Sequence, residues 1–164
     1  MLQLEDVIAT ITGIDRGSAL AEAVNGRADI MSLTQQTYVA ALHPTDPGGL
    51  SYVERAAFAC RISVLNSDRE FEAHFHNLIG ENDASGARIA DIGFDGGDDV
   101  RLSALIRHVD LVAQNPKNAT EGDIKRLQAA GVSDADIVRL SELVAFVSYQ
   151  IRVAAGLRLM RDLA

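Results

Sequence analysis

Hydrophobic and polar residues alternate with a helical period through most of this chain, most clearly from Ser51 to Ile79, SYVERAAFACRISVLNSDREFEAHFHNLI. Val53, Ala57, Cys60 and Val64 recur on one face of a helix, and Phe58, Ile62 and Leu65 fill a second stripe. Only Glu54, Arg55, Arg61 and Ser63 are left to face water, so the helix is expected to be mostly buried. Ser51 with Glu54 three residues on is a capping box that starts it after Pro47-Gly48-Gly49. A second box, Ser67 with Glu70, predicts the start of the next helix. That helix places Phe71, Phe75, Leu78 and Ile79 on one face and also carries Glu72, His74 and His76.

The flanking chain follows the same grammar. Apolar positions 4, 7, 8 and 11 predict a short amphipathic helix over Leu2 to Thr12, ended by Gly13. A second short helix spans Ser18 to Val24, and a third runs from Arg27 to Leu42, stopping before Pro44. His43 to Gly49 is a loop by turn chemistry, with His43 at a pocket rim or in solvent. From Gly80 to Asp99, glycines and acids predict one long irregular connection, a lid, binding loop or linker tacked down by Ile89, Ile92 and Phe94. Helical spacing resumes at Asp98 and ends at Asn115-Pro116. Thr120 to Ala130 forms a short helix closed by Gly131, and Ser133 with Asp136 caps a last helix reaching Met160. A helix of about 28 residues exceeds the usual globular length, so part of it is expected to meet another subunit.

The expected architecture is all-α, a bundle of seven or eight helices. It forms one domain over 1–164, with an N-terminal half 1–79, the connection 80–98 and a C-terminal half 99–164. Hydrophobic residues make up 48% of the chain, enough for one core, and strand-type alternation is absent. A formal charge of -8 with scattered arginines gives no clustered basic face, so no nucleic-acid partner is expected. MLQLEDVIATI carries acids where a signal peptide needs bases, and no uninterrupted apolar run approaches about 20 residues. The expectation is a cytoplasmic protein without a membrane partner. A single cysteine, Cys60, permits no internal disulfide.

An alanine-rich helix led by arginine, a short break, then Phe71-Glu72 and His76 resembles the carboxymuconolactone decarboxylase domain, the superfamily that includes the alkylhydroperoxidase D proteins. Thr120-Glu121-Gly122-Asp123-Ile124 through Leu127, then Ala130-Gly131-Val132-Ser133-Asp134 and Ile137, resembles that family's second-half segment. Val144-Ala145-Phe146 through Gln150-Ile151-Arg152-Val153 is similar to its closing helix. The resemblance covers roughly two thirds of the chain. It implies an alkylhydroperoxidase D-like bundle, a homo-oligomer (dimer, trimer or hexamer), and a peroxidase-related, antioxidant or lyase-type activity on a small molecule, with no cofactor.

The family's peroxidase branch carries Cys-x-x-Cys-x-x-x-His. Counting back from His76, the two cysteine positions hold Arg69 and Glu72; counting from His74, they hold Ser67 and Glu70. The position implied for a relay glutamate falls at or near Ala56. The dithiol route is therefore expected to be lost, while Phe71-Glu72 matches the aromatic-Glu pair of cysteine-free members. Cys60, four residues after Ala56, is either an inert small hydrophobe or the thiol of a one-cysteine peroxidase or sensor.

Glu72 and His76 are four apart on one helical face, where a carboxylate can orient an imidazole as a general base. The alternative is an ordinary surface pair. The candidate catalytic residues are His76, Glu72, Cys60 and His74, although His74 is offset by two positions. A metal site from His74, His76, Glu72 and His108 would need ligands converging from several helices, which the spacing does not supply, so no metal is expected. Arg152 falls where the resembled family has an arginine near the end of its closing motif, which implies a structural ion pair with Glu54 or Glu142. Three functional readings remain open: peroxidase-related redox work, decarboxylation or isomerisation of a lactone or keto acid with His76 as base, and a non-catalytic binding module whose pocket is filled by Phe71 and Phe75.

Overall fold

The computed structural model describes residues 6–81 and 83–163. Among these there are nine α-helices and no strand, so the chain is all-α. They are α1 Val7–Thr12, α2 Ala19–Asn25, α3 Ala28–Leu42, α4 Tyr52–Leu65, α5 Arg69–Ile79, α6 Ala84–Ala90, α7 Val100–Gln114, α8 Glu121–Ala129 and α9 Asp134–Asp162, with a 3-10 turn at Pro116–Asn118. The expected first helix is described only from Asp6, whose carboxylate caps α1; residues 1–5 lie outside the described residues.

α4 is the central element, in contact with α3, α5, α6, α7 and α9. Every residue from Arg55 to Ser63 is buried, and Ala56, Ala57, Ala59 and Cys60 let neighbours approach closely on all sides. Arg55, Arg61 and Ser63, read from the pattern as water-facing, are therefore interior. Ser63 returns its hydroxyl to the Ala59 carbonyl at 2.9 Å. Arg61 pairs with Asp110 through Nε at 2.6 Å and Nη2 at 2.7 Å. It also donates to the carbonyls of Ile89, Asp91, Ile92 and Phe94. Interior guanidinium groups persist because loop carbonyls and one carboxylate replace the water they lose.

The capping box at Ser51 and Glu54 forms as the sequence predicts. At α5 the cap is Asp68, not Ser67: Asp68 accepts from the Phe71 amide at 3.1 Å, and Ser67 sits at φ 59°. Asp68 is favoured because Arg158, from α9, also binds it. Phe71, Phe75 and Ile79 are buried, with the two phenyl rings stacked at 5.7 Å.

Residues 80–98 are not irregular throughout. Asp83 caps α6 by accepting from the Gly86 amide at 2.9 Å. A Cβ on Gly86 would meet Ile79 Cγ2 at 2.5 Å and Val53 Cγ1 at 2.8 Å, so glycine is what lets α6 press onto α4 and α5. Ile89 is buried and Phe94 half-buried under Arg88, but Ile92 is exposed.

α9 runs 29 residues and is long and apolar enough, by length and composition, to cross a membrane. Its inner face carries Leu140, Leu143, Val144, Val147, Ile151 and Ala154 into the core, against α1, α3, α4, α7 and α8. Arg152 is exposed rather than paired, and Glu54 bonds Arg101 at 2.7 Å instead.

Candidate functional site

The break between α4 and α5 folds the two helices side by side, which carries Glu72 and His76 over the Cys60 turn of α4. Cys60, Val64, Glu72 and His76 line one cavity of about 280 Å³, whose opposite wall is Ala87, Ala90, Asp91 and Ile92. Three of the four candidate residues thus share a hollow. A shallower depression bounded by Arg69, Glu72, Ala73, His76 and Asn77 adjoins it, so Glu72 and His76 form the ridge between the two. The aromatic residues that could have filled the cavity do not: Phe71 and Phe75 point into the core, fully buried.

The fourth candidate is elsewhere. His74 lies two residues from Glu72 and from His76, a rotation of about 200° around the helix, and so faces α3. Its Nε2 is 2.8 Å from the Tyr38 hydroxyl. Burial lowers the His74 pKa and pushes the Tyr38 phenol up to about 12, so the pair is neutral at physiological pH. His43 lies nearby with its ring tilted, 6.5 Å from the Tyr38 ring and 6.1 Å from that of Tyr52. His108 is buried in α7, with burial lowering its pKa. Among the described residues no three His, Cys, Asp or Glu side chains converge as metal ligands.

Within the cavity, Cys60 is buried and its thiol donates to the Glu72 carbonyl at 3.6 Å. Burial first, and the Glu72 carboxylate second, push the thiol pKa up to about 11. It is a protonated thiol at neutral pH, without the helix N-terminus that would activate it. His76 is exposed at the mouth and Glu72 half-buried; no hydrogen bond joins their side chains in this structure. The Asp91 carboxylate accepts from the Gly93 amide at 2.8 Å. No Arg or Lys lines this cavity, while Arg69 borders the adjoining depression. The lining therefore offers one imidazole, two carboxylates and an apolar floor, a set suited to moving a proton on a neutral molecule.

Sequence reasoning missed the far wall. Ala87 to Ile92 belongs to a stretch read as a connection, and only Arg61, buried in α4, shows why that stretch is held against the site.

No family model matches the chain, and no curated protein matches it. The fold is shared with a crystal structure of an uncharacterized peroxidase-related protein from Silicibacter sp. TM1040, at a TM-score of 0.69 and 17% sequence identity, over 79% of this chain and 68% of that one. That likeness establishes a shared all-helical fold and nothing about activity.

Proposed function

We propose that this chain is a divergent alkylhydroperoxidase D-like protein of the carboxymuconolactone decarboxylase superfamily, lacking the redox cysteine pair, that performs acid–base chemistry on a small neutral molecule. His76 takes or returns the proton, and the Glu72 carboxylate on the same helical face favours the imidazolium that forms. The observation that carries this reading is the shared cavity of Cys60, Glu72 and His76. Two carboxylates, Glu72 and Asp91, favour a neutral lactone or ketone over a keto acid, whose own charge they would repel. The experiment is deuterium uptake at the α-carbon of small lactones and ketones in D2O, followed by NMR. His76→Ala should abolish enzyme-dependent uptake and Glu72→Gln should slow it; uptake unchanged in His76→Ala rejects the reading.

A second reading is favoured by the same cavity, because Cys60 opens into it. There Cys60 would reduce an alkyl hydroperoxide and be recycled by an external thiol. Its protonated state at neutral pH weighs against this, so no peroxide consumption above background is expected with dithiothreitol. Turnover lost in Cys60→Ser would establish it instead.

The proposal includes self-association in the cytoplasm. Leu159, Met160 and Leu163 at the end of α9 are exposed, which supports a subunit contact there. Light scattering on wild type and Leu159→Glu measures it.

A further inference from the structure

Arg55 leaves α4 on a different face from Cys60 and is only 2% exposed. Nε donates to the Leu50 carbonyl at 3.0 Å, Nη1 to that of Ala41 at 2.8 Å and Nη2 to that of Pro47 at 2.9 Å. All three partners are neutral, and one N–H on each terminal nitrogen is left over. Among the described ion pairs none involves Arg55. A buried cation matched only by carbonyl dipoles is incompletely compensated. Burial, with Arg139 adding to it, accordingly lowers its pKa from the ordinary guanidinium value, against the opposing fields of Asp136 and Glu142.

Arg55 is among the residues that line a groove of about 770 Å³ between α3 and α9. Ile30, Leu33 and Ala40 of α3 and Ala145 and Phe146 of α9 make it apolar, and the hydroxyls of Thr34 and Tyr149, 3.2 Å apart, join the two helices. The groove's other cation, Arg139, is already matched by Asp136 at 2.9 Å and Asp46 at 3.3 Å. The volume falls in the range of small-ligand sites, about 300–1,000 Å³.

We propose that this groove binds a small amphipathic carboxylate, with its apolar body against Ile30, Leu33 and Phe146 and its carboxylate on the free N–H groups of Arg55. Charge complementarity selects the head group and the apolar walls select the body. None of these residues lines the Cys60–Glu72–His76 cavity, so the proposal is independent of the reaction proposed there. Glu142 and Asp46, exposed and also lining the groove, oppose an anion and limit its affinity, Asp46 less so because it pairs with Arg139.

The test is calorimetric titration of the full chain with 4-phenylbutyrate, 4-phenylbutan-1-ol and 4-phenylbutylamine. The carboxylate should bind about tenfold or more tightly than the alcohol, as a charge-assisted contact requires, and the amine more weakly still. Leu33→Asp, at an exposed wall position, should abolish binding, and Glu142→Gln should tighten it several-fold by removing the repelling charge. Arg55→Gln, with its fold checked by circular dichroism, should erase the preference for the carboxylate. Because Leu33 and Glu142 are exposed, those two variants remain informative if Arg55→Gln does not fold. Equal binding of alcohol and carboxylate, a preference for the amine, or no binding by any of the three overturns the proposal. So does a dimer that Leu33→Asp dissociates while wild type takes up no carboxylate, since a second copy of the chain would then cover the groove.

Discussion

Arg158 in the last turns of α9 holds Asp68 through Nη1 at 2.7 Å and Nη2 at 3.2 Å, while the same carboxylate caps α5 at the Phe71 amide. One side chain thus fixes the start of the helix that carries Glu72 and His76 and ties it to a partner 90 residues away. Hydrogen bonding to Asp68 raises the Arg158 pKa further above its ordinary value. Asp68→Ala removes the cap and leaves a largely buried guanidinium with only Glu70, at 3.6 Å, at a cost of about 3 kcal/mol. Asp68→Asn keeps the cap acceptor and should cost less. Urea denaturation of both variants checks the order; equal losses would mean that the charge pair with Arg158 alone matters and the cap adds nothing.

The Cys60 thiol should be unreactive at neutral pH. Iodoacetamide labelling should be far slower than for a free cysteine at pH 8 and should rise steeply toward pH 11, where the thiol titrates. Glu72→Gln removes the charge that opposes the thiolate and should move this onset to lower pH. Because the folded pKa lies above the ordinary 9.0, the thiol's contribution to stability is complete below about pH 9 and is lost between about 9 and 11.

Acid should act through the buried histidines. His74 and His108 both have folded pKa values lowered from 6.5 by burial, so the unfolded chain binds their protons first. Their contribution to stability is present above pH 6.5 and declines as the pH falls below it. Thermal melts between pH 5 and 7.5 should show this, with a shallower slope in His74→Gln. Tyr38→Phe, which leaves the His74 Nε2 without its partner at 2.8 Å, should cost about 1 kcal/mol.

Arg61→Lys should not behave as a conservative change. A lysine has three donors on one nitrogen and cannot span Asp110 and four carbonyls, so about 3 kcal/mol should be lost. Hydrogen exchange should quicken first at residues 89–94. Uniform protection there would mean that α6 and its following turn hold themselves in place.

The caps at Ser51–Glu54 and Ser133–Asp136 and the glycine stop at Gly131 were legible because each is decided within a few residues. The choice between Ser67 and Asp68 was not, since the deciding group is Arg158, far along the chain. α6 was hidden for a similar reason: Ala84-Ser85-Gly86 is a weak helical signal, and the helix gains from close packing against Ile79 and Val53. The interior positions of Arg55 and Arg61 had no local signature, because their partners are main-chain carbonyls on other segments and, for Arg61, the Asp110 carboxylate 49 residues away. In the site, the i,i+4 spacing placed Glu72 and His76 on one cavity, whereas the same helical geometry sends His74 to Tyr38.

Arg61 holds the 89–94 turn by its main-chain oxygens alone, contacts that any residue supplies equally. The side chains of Asp91 and Ile92, which line the cavity, carry none of that attachment. Substitutions at Ile92 can therefore alter what the hollow admits while its frame stays anchored, whereas Asp91 also holds the Gly93 amide, making Ile92 the natural place to retune selectivity.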